Sequence, residues 1–453
     1  EDEYYNKKCL KSKAQIEEAR QIIPGGVQHN LAFNYPFPLV FTKAEGAYLY
    51  DVDGNKYFDF LQAGGPTVLG SNPKAVREQV IDLLNTCGPS TGLFHEFEYK
   101  LAKISDSIET VDMFRMMGSG TEACMGAARI ARLATKHKNI IKMGGAYHGW
   151  SDQMAYGIRV NGTKFTQAHG VPLNCFMFIQ ETTPNDLDEL ERKLRLNQFR
   201  GGTAAVYMEP VGPESGTTPI TVEYVKGVER LCRKYGALLV FDEVVTGFRI
   251  GMAGAQGYFG VSPDLTIFGK VIAGGYPGAG GIGGKREYMK YLGAGLDSSG
   301  KKIHKALVGG TMTANPLSCC AGYFTLEEIE RTNACQKAGQ MGDRICAGLK
   351  ELVKKHGLPF VVWNTGSICH LETVGTMHYQ INWKKPWEIP AILGETSIRQ
   401  KEMEHMGAAY MAEGLVTLAG SRLYTSAAYT PKMIDQALAC FDRVFENVAV
   451  KAD

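Results

Sequence analysis

The feature that most constrains the fold is an alternation of short apolar runs with helical stretches between about residues 100 and 275. The runs have the length of buried strands and read "MFRMM", "NIIKM", "TAAVYM", "ALLVFD" and "LTIFG". Stretches such as "VEYVKGVERLCRKYG" lie between them and have helical character. Apolar strands that alternate with helices indicate a mostly parallel sheet covered on both faces. The sequence therefore predicts an α/β fold, whose ligands bind beyond the carboxyl ends of the strands.

The composition is that of a large globular protein without a strong charge bias. The chain has 453 residues, of which 44% are hydrophobic, and a formal net charge of +2. It can therefore bury a large core and is long enough for two or three domains. The charge balance predicts no nucleic-acid partner and no binding to an anionic membrane. No apolar run reaches about 18 residues, so we expect no membrane-spanning helix.

The cysteines and the N-terminal segment predict a cytoplasmic location. The 11 cysteines are scattered and include no CxxC pair, so they are most simply reduced thiols. The segment "EDEYYNKKCLKSK" is polar and charged, unlike the apolar core of a secretory signal.

The pattern differs on either side of the strand-and-helix region. The segment "LVFTKAEGAYLYDVDGNKYFDF" reads as short strands joined by a "DG" turn. Near the other end, "MIDQALACFDRVFENVAV" has the apolar face of a final helix. We predict a large domain over residues 70–335, and a smaller domain formed by residues 1–69 and 336–453.

One strand end carries the turn "GSGTEA", residues 118–123. A turn of this kind that opens a helix offers backbone amides, a hydroxyl and the positive end of the helix dipole, which together suit a phosphate. Ser119, Gly120 and Thr121 are the predicted contacts. The motif matches neither the dinucleotide fingerprint nor the Walker pattern. A simple helix cap by Ser119 or Thr121 is the alternative.

Two other strand ends carry groups of opposite charge. A desolvated amine at Lys270 can attack a carbonyl and form a Schiff base, and a buried carboxylate at Asp242 can keep a ring nitrogen protonated. A solvated lysine and a loop-capping aspartate are the alternatives. The segment "AGGYPGAGGIGG" after Lys270 favours a ligand, because small residues leave room for a bulky group near the backbone. We expect the neighbouring Glu243 to point away and form a structural pair.

The strand end "GGAYHGW", residues 144–150, supplies an aromatic ring and an imidazole. Tyr147 can stack on a flat ring in the offset geometry that aromatic groups prefer, and His148 can form a hydrogen bond nearby. A core tyrosine and a buried histidine with its own partners are the alternatives.

In combination and order, these motifs resemble those of class III pyridoxal-phosphate aminotransferases of fold type I. The matching stretches are "GSGTEA", "YHG", "VFDEVVTGFR", "PDLTIFGKVIAGGYPGAGGIGG" and "GTMTANP". The resemblance runs from "PGGV" to "SRLYTS" and is nearest to glutamate-1-semialdehyde 2,1-aminomutase and the phenylglycine and β-phenylalanine aminotransferases. It implies a large domain with a mostly parallel, seven-stranded-type sheet between helices, and a smaller α+β domain made of both termini. It also implies the cofactor pyridoxal 5'-phosphate.

The resemblance implies roles around the cofactor ring. Lys270 matches the lysine that forms the Schiff base, and Asp242 matches the partner of the pyridine nitrogen. Tyr147 matches the residue stacked over the ring, Val244 the residue packed under it, and His148 a neighbouring contact.

The resemblance also implies how the phosphate is held and how the chain assembles. Ser119, Gly120 and Thr121 match the phosphate contacts made within one subunit. Thr311, in "GGTMTANP", matches a contact that the other subunit donates. The resemblance therefore implies a homodimer with its active site at the interface.

The substrate residues depart from the nearest relatives. An Arg that binds the substrate carboxylate in several of them falls here on His29, Leu31 or Ala32, so bidentate recognition is lost there and His29 is a partial substitute. Arg422 matches a C-terminal Arg that binds carboxylates in some relatives; a surface Arg is the alternative. Glu214 matches a polar position near the cofactor or substrate. The span 155–172 resembles an active-site lid.

The leading hypothesis is an aminotransferase that moves an amino group from an amino acid or amine, with a β- or ω-amino group as one option, to a keto acid. An aminomutase, or an amino acid racemase or epimerase with the same cofactor, is the alternative. A catalytically silent regulator is a further hypothesis, which the presence of both Lys270 and Asp242 disfavours.

Overall fold

The structure, a computed structural model, describes residues 2–158, 161–164, 168–211, 219–293, 295–372, 381 and 383–448. Contacts within the chain divide it into two units. The first comprises Glu1–Ala75, Glu328–Thr376 and Pro390–Asp453, and the second comprises Val76–Glu327 and Met377–Ile389.

Helices and strands alternate through most of the chain. The strands are β1 Phe41–Glu45, β2 Tyr48–Asp51, β3 Lys56–Asp59, β4 Met113–Met117, β5 Asn139–Met143, β6 Ile179–Thr182, β7 Thr203–Met208, β8 Leu238–Asp242, β9 Leu265–Gly269, β10 Gly280–Gly284, β11 Val361–Thr365, β12 Ile368–Glu372, β13 Leu415–Val416 and β14 Arg422–Tyr424. The α-helices are α1 Asp2–Lys8, α2 Leu10–Ala19, α3 Lys74–Thr86, α4 Glu96–Ala102, α5 Gly120–Thr135, α6 Leu187–Asn197, α7 Val222–Tyr235, α8 Gly254–Phe259, α9 Arg286–Met289, α10 Pro316–Thr332, α11 Ala334–His356, α12 Ile389–Ala412 and α13 Pro431–Glu446.

The second unit is built on a mixed sheet that confirms the predicted α/β fold class. Among the described residues this sheet has seven strands in the order β4-β10-β9-β8-β7-β5-β6. Strands β5 to β9 pair in parallel, and only β10 runs antiparallel to both of its neighbours. The carboxyl ends of β4, β5, β7, β8 and β9 therefore lie at one edge of the sheet.

Helices cover both faces of this sheet, because alternate side chains of a strand point to opposite sides. On one face Ile140, Tyr207 and Val240 pack with α5. On the other face Val206 and Phe241 pack with α6 and α7. The continuous apolar runs of the sequence follow from this burial on both sides.

The helices of the second unit begin and end at residues suited to those positions. Thr221 caps α7 by accepting a hydrogen bond from the amide of Tyr224. Gly236 ends the helix in the left-handed conformation, with φ of 68°, which glycine adopts without steric cost. The chain can then reverse directly into β8.

The glycine-rich segment after Lys270 has a different role from the one expected. Residues 280–284 form β10, a strand between β4 and β9 that the sequence pattern did not reveal. A Cβ at Gly283 would lie 2.7 Å from Val111, and one at Gly284 would lie 2.6 Å from the carbonyl oxygen of Asp264. The space beside this strand is therefore filled by the protein's own atoms and not by a ligand.

The first unit contains two smaller sheets. Within the described residues, one is four-stranded in the order β1-β2-β3-β13 and the other is three-stranded in the order β11-β12-β14. One face of the three-stranded sheet places Cys369, Leu371 and Leu423 in a core with α11 and α13. The alternate residues of these strands, including His370 and Arg422, lie on its other face.

Among the described helices, none has both the length and the apolar character that are needed to cross a membrane.

Candidate active site

The start of α5 lies at the carboxyl edge of the large sheet. Ser119 has an extended backbone and caps the helix, with its hydroxyl accepting a hydrogen bond of 3.2 Å from the amide of Glu122. The amides of Gly120 and Thr121 are in the first turn, where the helix itself supplies no acceptor. The capping alternative is thus correct for the Ser119 side chain, and it leaves two amides and the helix dipole for an anion.

An acidic residue that the sequence reasoning passed over also belongs to this turn. The hydroxyl of Ser119 lies 3.1 Å from a carboxylate oxygen of Glu122. A Cβ at Gly310 would lie 3.1 Å from the other oxygen. A carboxylate in the first turn of a helix is favoured by the helix dipole, and "GSGTEA" did contain this signal.

Val244 connects the helix start to the end of β9. A Cβ added to Gly120 would lie 2.9 Å from one methyl group of Val244, and one added to Gly269 would lie 2.9 Å from the other. The half-buried Val244 side chain therefore occupies the space between two glycine backbones. Glycine at both positions lets Lys270, which follows Gly269, and the α5 turn approach the same apolar side chain.

Asp242 ends β8 and is buried, with its side chain only 5% exposed. One carboxylate oxygen accepts a hydrogen bond of 3.0 Å from the amide of Val244. The other lies 2.8 Å from Nδ1 of His148 and 3.7 Å from the thiol of Cys124. These partners offset the cost of burying a carboxylate.

His148 is completely buried, and this burial lowers its pKa despite the neighbouring carboxylate. The imidazole is therefore neutral near pH 7, and the close contact with Asp242 requires the proton on Nδ1. Among the described residues, Nε2 has no hydrogen-bond partner. The neutral His148 therefore places no positive charge beside the Asp242 carboxylate.

Glu209 and Thr121 contact the turn at residues 147–149, which read "YHG". The Tyr147 side chain is 41% exposed, and its amide donates a hydrogen bond of 3.2 Å to the carboxylate of Glu209. A Cβ at Gly149 would lie 2.5 Å from the hydroxyl of Thr121. The turn therefore packs directly against the start of α5. Glu209 was missed as a site residue, although "MEP" at the end of β7 marked it.

Lys270 directly follows β9, the parallel neighbour of β8. Asp242 is paired in register with Ile267, so the two charged residues leave adjacent strands at the same edge. Lys270 is half-buried and has a φ of 42°. A positive φ is uncommon for a residue with a side chain and occurs preferentially at functional sites.

Glu243, next to Asp242, has a structural role. The Glu243 carboxylate is buried and accepts hydrogen bonds from the hydroxyl of Thr246 at 2.9 Å and the amide group of Gln256 at 2.8 Å. Its partners among the described residues are neutral donors, so the expected structural pair is there a hydrogen-bond network.

The remaining predicted residues lie elsewhere in the chain. Thr311 lines a cavity of about 470 Å³ in the second unit. Arg422 is buried at the start of β14 in the first unit and donates a 3.4 Å hydrogen bond to Tyr424, so it is not a surface residue. The exposed His29 accepts a hydrogen bond from the amide of Leu31 at Nδ1. Glu214, like residues 159–160 and 165–167 of the predicted lid, is outside the described residues.

A known protein family matches most of the chain. The family model described as Aminotransferase class-III matches residues 31–418. The chain belongs to the class-III aminotransferase family. Members use pyridoxal 5'-phosphate, and the chain is accordingly a transaminase dependent on that cofactor.

Solved structures of the family are similar over nearly the whole chain. An omega-transaminase from Sphaerobacter thermophilus is 25% identical, with a TM-score of 0.84 and coverage of 98% of this chain and 99% of that one. A transaminase with PLP bound is 26% identical, with a TM-score of 0.84 and coverage of 96% and 97%. A glutamate-1-semialdehyde aminomutase from Pseudomonas aeruginosa PAO1 is 20% identical, with a TM-score of 0.79 and coverage of 98% and 95%.

The residues at the sheet edge fit this cofactor. A helix start with two amides suits its phosphate. Val244, which packs against Gly120 and Gly269, offers an apolar side chain to one face of a flat ring. The carboxyl group of Asp242 suits a protonated ring nitrogen. An amine suits its aldehyde, and Lys270 lies on the adjacent strand.

The buried imidazole gives a pH dependence of known sign. Because the pKa of His148 is lowered in the folded chain, the unfolded chain binds a proton at pH values below about 6.5 that the folded chain does not. We expect the free energy of unfolding of the apoprotein to fall as the pH drops below this value. In His148→Asn, which keeps a donor toward Asp242 without titrating, this decrease should be smaller. Urea titrations at several pH values measure it, and equal decreases in both proteins would contradict a neutral His148.

Proposed function

We propose that the chain moves an amino group between a β- or ω-amino donor and a keto acid, with Lys270 and Asp242 as the catalytic residues. The observation that carries this proposal is the juxtaposition of two strand ends. Asp242 and Lys270 leave adjacent parallel strands, and Val244 packs against the glycine before Lys270. When bound, the cofactor supplies an electron sink for the carbon that loses a proton.

Lys270 has two tasks in this proposal. Its amine holds the cofactor covalently in the resting protein. Once displaced by the substrate amine, the amine of Lys270 would take the proton from the substrate carbon as a general base and deliver it as a general acid for transfer of the amino group. A position directly after a buried strand limits the conformations of its backbone, so the amine is held close to its target.

Asp242 keeps the ring nitrogen protonated in this proposal. A carboxylate in a buried site favours a cation strongly, because little water screens the interaction. The neutral His148 orients that carboxylate through the 2.8 Å hydrogen bond without competing for its charge. His148 therefore acts through Asp242.

The other predicted contacts complete the cofactor site. Gly120 and Thr121 bind the phosphate through their amides, and Ser119 fixes the turn that presents them. Val244 packs on one face of the ring. Tyr147 stacks on the other, and its 41% exposure leaves the ring accessible for this contact.

Substrate recognition rests on Arg422 in this proposal. Arg422 matches a C-terminal Arg that binds carboxylates in some relatives, and a guanidinium can bind the carboxylate of the amino donor or the keto acid through two parallel hydrogen bonds. The 25% identity to an omega-transaminase supports a donor whose amino group is away from the α-carbon. His29 and Glu214 remain secondary predictions, since the His29 imidazole already accepts a bond from Leu31.

A homodimer is the proposed assembly, with Thr311 of the partner subunit contacting the phosphate. Leu93 and Phe94 are each about four-fifths exposed, and large exposed apolar groups close together mark interfaces. Leu93, Phe94 and Thr311 line the same cavity, so this surface and the proposed phosphate contact are continuous.

A cytoplasmic location is proposed from the scattered cysteines alone. Recovery of the protein outside the cytoplasm on fractionation would contradict it.

Replacing Lys270 tests the central assignment. Lys270→Ala should bind pyridoxal phosphate without becoming covalently attached on borohydride reduction, and turnover should fall more than about a thousandfold. Absorption spectra and mass spectrometry of the reduced protein measure this. Lys285→Ala, a lysine paired with Asp264, is the matched control and should still be labelled at Lys270. Borohydride labelling that persists in Lys270→Ala would refute the role.

Replacing Arg422 tests carboxylate recognition. In Arg422→Lys, KM for a carboxylate-bearing donor should rise about ten- to a hundredfold, because a bidentate charged contact contributes about 1.5–3 kcal/mol. An amine donor that lacks the carboxylate should be affected much less. The surface variant Arg344→Lys, which alters an exposed ion pair with Asp435, should change neither. Equal losses for both donors would contradict the assignment. Product formed from the donor without any keto acid would instead favour the aminomutase or epimerase alternative.

Placing a charge on the apolar surface tests the dimer. Phe94→Glu should weaken self-association by about thirtyfold or more, as measured by analytical ultracentrifugation, and should weaken cofactor binding with it. Phe199→Glu changes another highly exposed phenylalanine and should leave both unchanged. An undiminished dimer in Phe94→Glu would place the interface elsewhere.

A further inference from the structure

A buried lysine lies beneath the turn that carries Tyr147 and His148. Lys142 lies on β5, the second strand from one edge of the large sheet, and has no exposed surface. Its ammonium nitrogen donates hydrogen bonds to the carbonyl oxygens of Ala146 at 2.8 Å, Tyr156 at 2.5 Å and Met154 at 3.4 Å. Lysine is almost never fully buried without such partners, so this arrangement requires a reason.

The three carbonyl partners require the charged form of the side chain. An ammonium group has three N–H donors, which matches the three acceptors. A neutral amine has two donors, and its lone pair would face the third carbonyl. Burial lowers the pKa of Lys142 to about 8, so the ammonium is still the main form at neutral pH.

A carboxylate on the next strand complements this arrangement. Glu181 on β6 is the register neighbour of Lys142 and is also buried. Its carboxylate accepts a hydrogen bond from the amide of Gly162, and a Cβ at Gly157 would collide with it. The ammonium of Lys142 therefore binds carbonyl groups of residues 146–156, and the carboxylate of Glu181 binds the amide of Gly162, a few residues further along the chain.

The carbonyls that Lys142 binds enclose a defined loop. The amide of Gly145 donates to the carbonyl of Gly157 at 2.9 Å, which closes residues 145–157 into a loop tied at its base. Ala146 lies at its start, directly before Tyr147, and Met154 and Tyr156 lie at its end. The buried ammonium of Lys142 thus links the first residues of this loop to its last residues.

We propose that Lys142 is a positioning residue whose ammonium fixes the 145–157 loop and thereby holds Tyr147 and His148 in place for the cofactor. The inference rests on the proposed function of those two residues. Lys142 itself does not touch the cofactor in this proposal and acts only through the loop backbone. The cofactor site would thus depend on Lys142, a residue of β5 that takes no part in the chemical steps.

Hydrogen exchange of the apoprotein, followed by mass spectrometry, tests the first part of the proposal without the cofactor. Lys142→Met keeps the length of the side chain but removes all three donors, so exchange in residues 145–157 should accelerate about tenfold. Exchange in β8 and β9 should stay unchanged. Lys193→Met is the matched control, because Lys193 donates to the carbonyl of Glu181 and is outside the loop. Unchanged exchange in the loop, or equal acceleration throughout the second unit, would overturn the proposal.

Cofactor binding tests the second part. In Lys142→Met the apparent dissociation constant of pyridoxal phosphate should rise about tenfold, and the circular dichroism of the bound cofactor should change as it does in Tyr147→Ala. Lys142→Arg, which keeps the charge and several donors, should recover part of both signals, and Lys142→Gln gives a milder variant if Lys142→Met does not fold. A mobile loop with an unaltered cofactor signal would overturn the positioning role.

Different measurements test the role of Tyr147 and the role of Lys142. If Tyr147→Ala leaves the cofactor signal unaltered, the proposed function of Tyr147 is wrong, whereas the exchange of the apoprotein still decides whether Lys142 fixes the loop.

Discussion

A carboxylate that is almost completely removed from water has to be surrounded by donors, and the organisation around Asp242 follows from this requirement. The amide of Val244 and Nδ1 of His148 each bind one oxygen. The first contact fixes the turn after β8 and so places the Val244 side chain between two glycines. The contact with His148 places the "YHG" turn next to the same carboxylate. Because burial keeps His148 neutral, these contacts hold the carboxylate without cancelling its charge.

Much of the fold was predictable because the large sheet is buried on both sides. Runs such as "NIIKM" and "ALLVFD" have no polar alternation, and the structure places them in the parallel part of one mixed sheet, on either side of β7. β10 was not predictable in this way, because a strand made almost entirely of glycine has no hydrophobic pattern to recognise. The domain boundaries stay predictions; contacts such as the bond from Ile381 to the carbonyl of Asn161 join distant segments that no local pattern marks.

The candidate site was predictable where a residue type is chemically unusual for its position, as with Lys270 and Asp242 at the ends of apolar strands. Residues whose importance lies in contacts with the backbone were missed. Glu209 accepts a hydrogen bond from the amide of Tyr147, and Lys142 binds three carbonyls. Neither contact can be recognised before the chain is folded, because the partners are peptide groups and have no signature in the sequence.

The glycine strand β10 has a consequence for how this sequence tolerates change. None of its residues carries a reactive group, yet a single methyl group at Gly283 or Gly284 would overlap atoms of the buried Val111 or Asp264. Overpacking of this kind in a closed core is costly. In saturation mutagenesis, β10 would therefore tolerate as few substitutions as the catalytic residues do. A position that tolerates no substitution in this protein is thus not necessarily one that takes part in the chemistry.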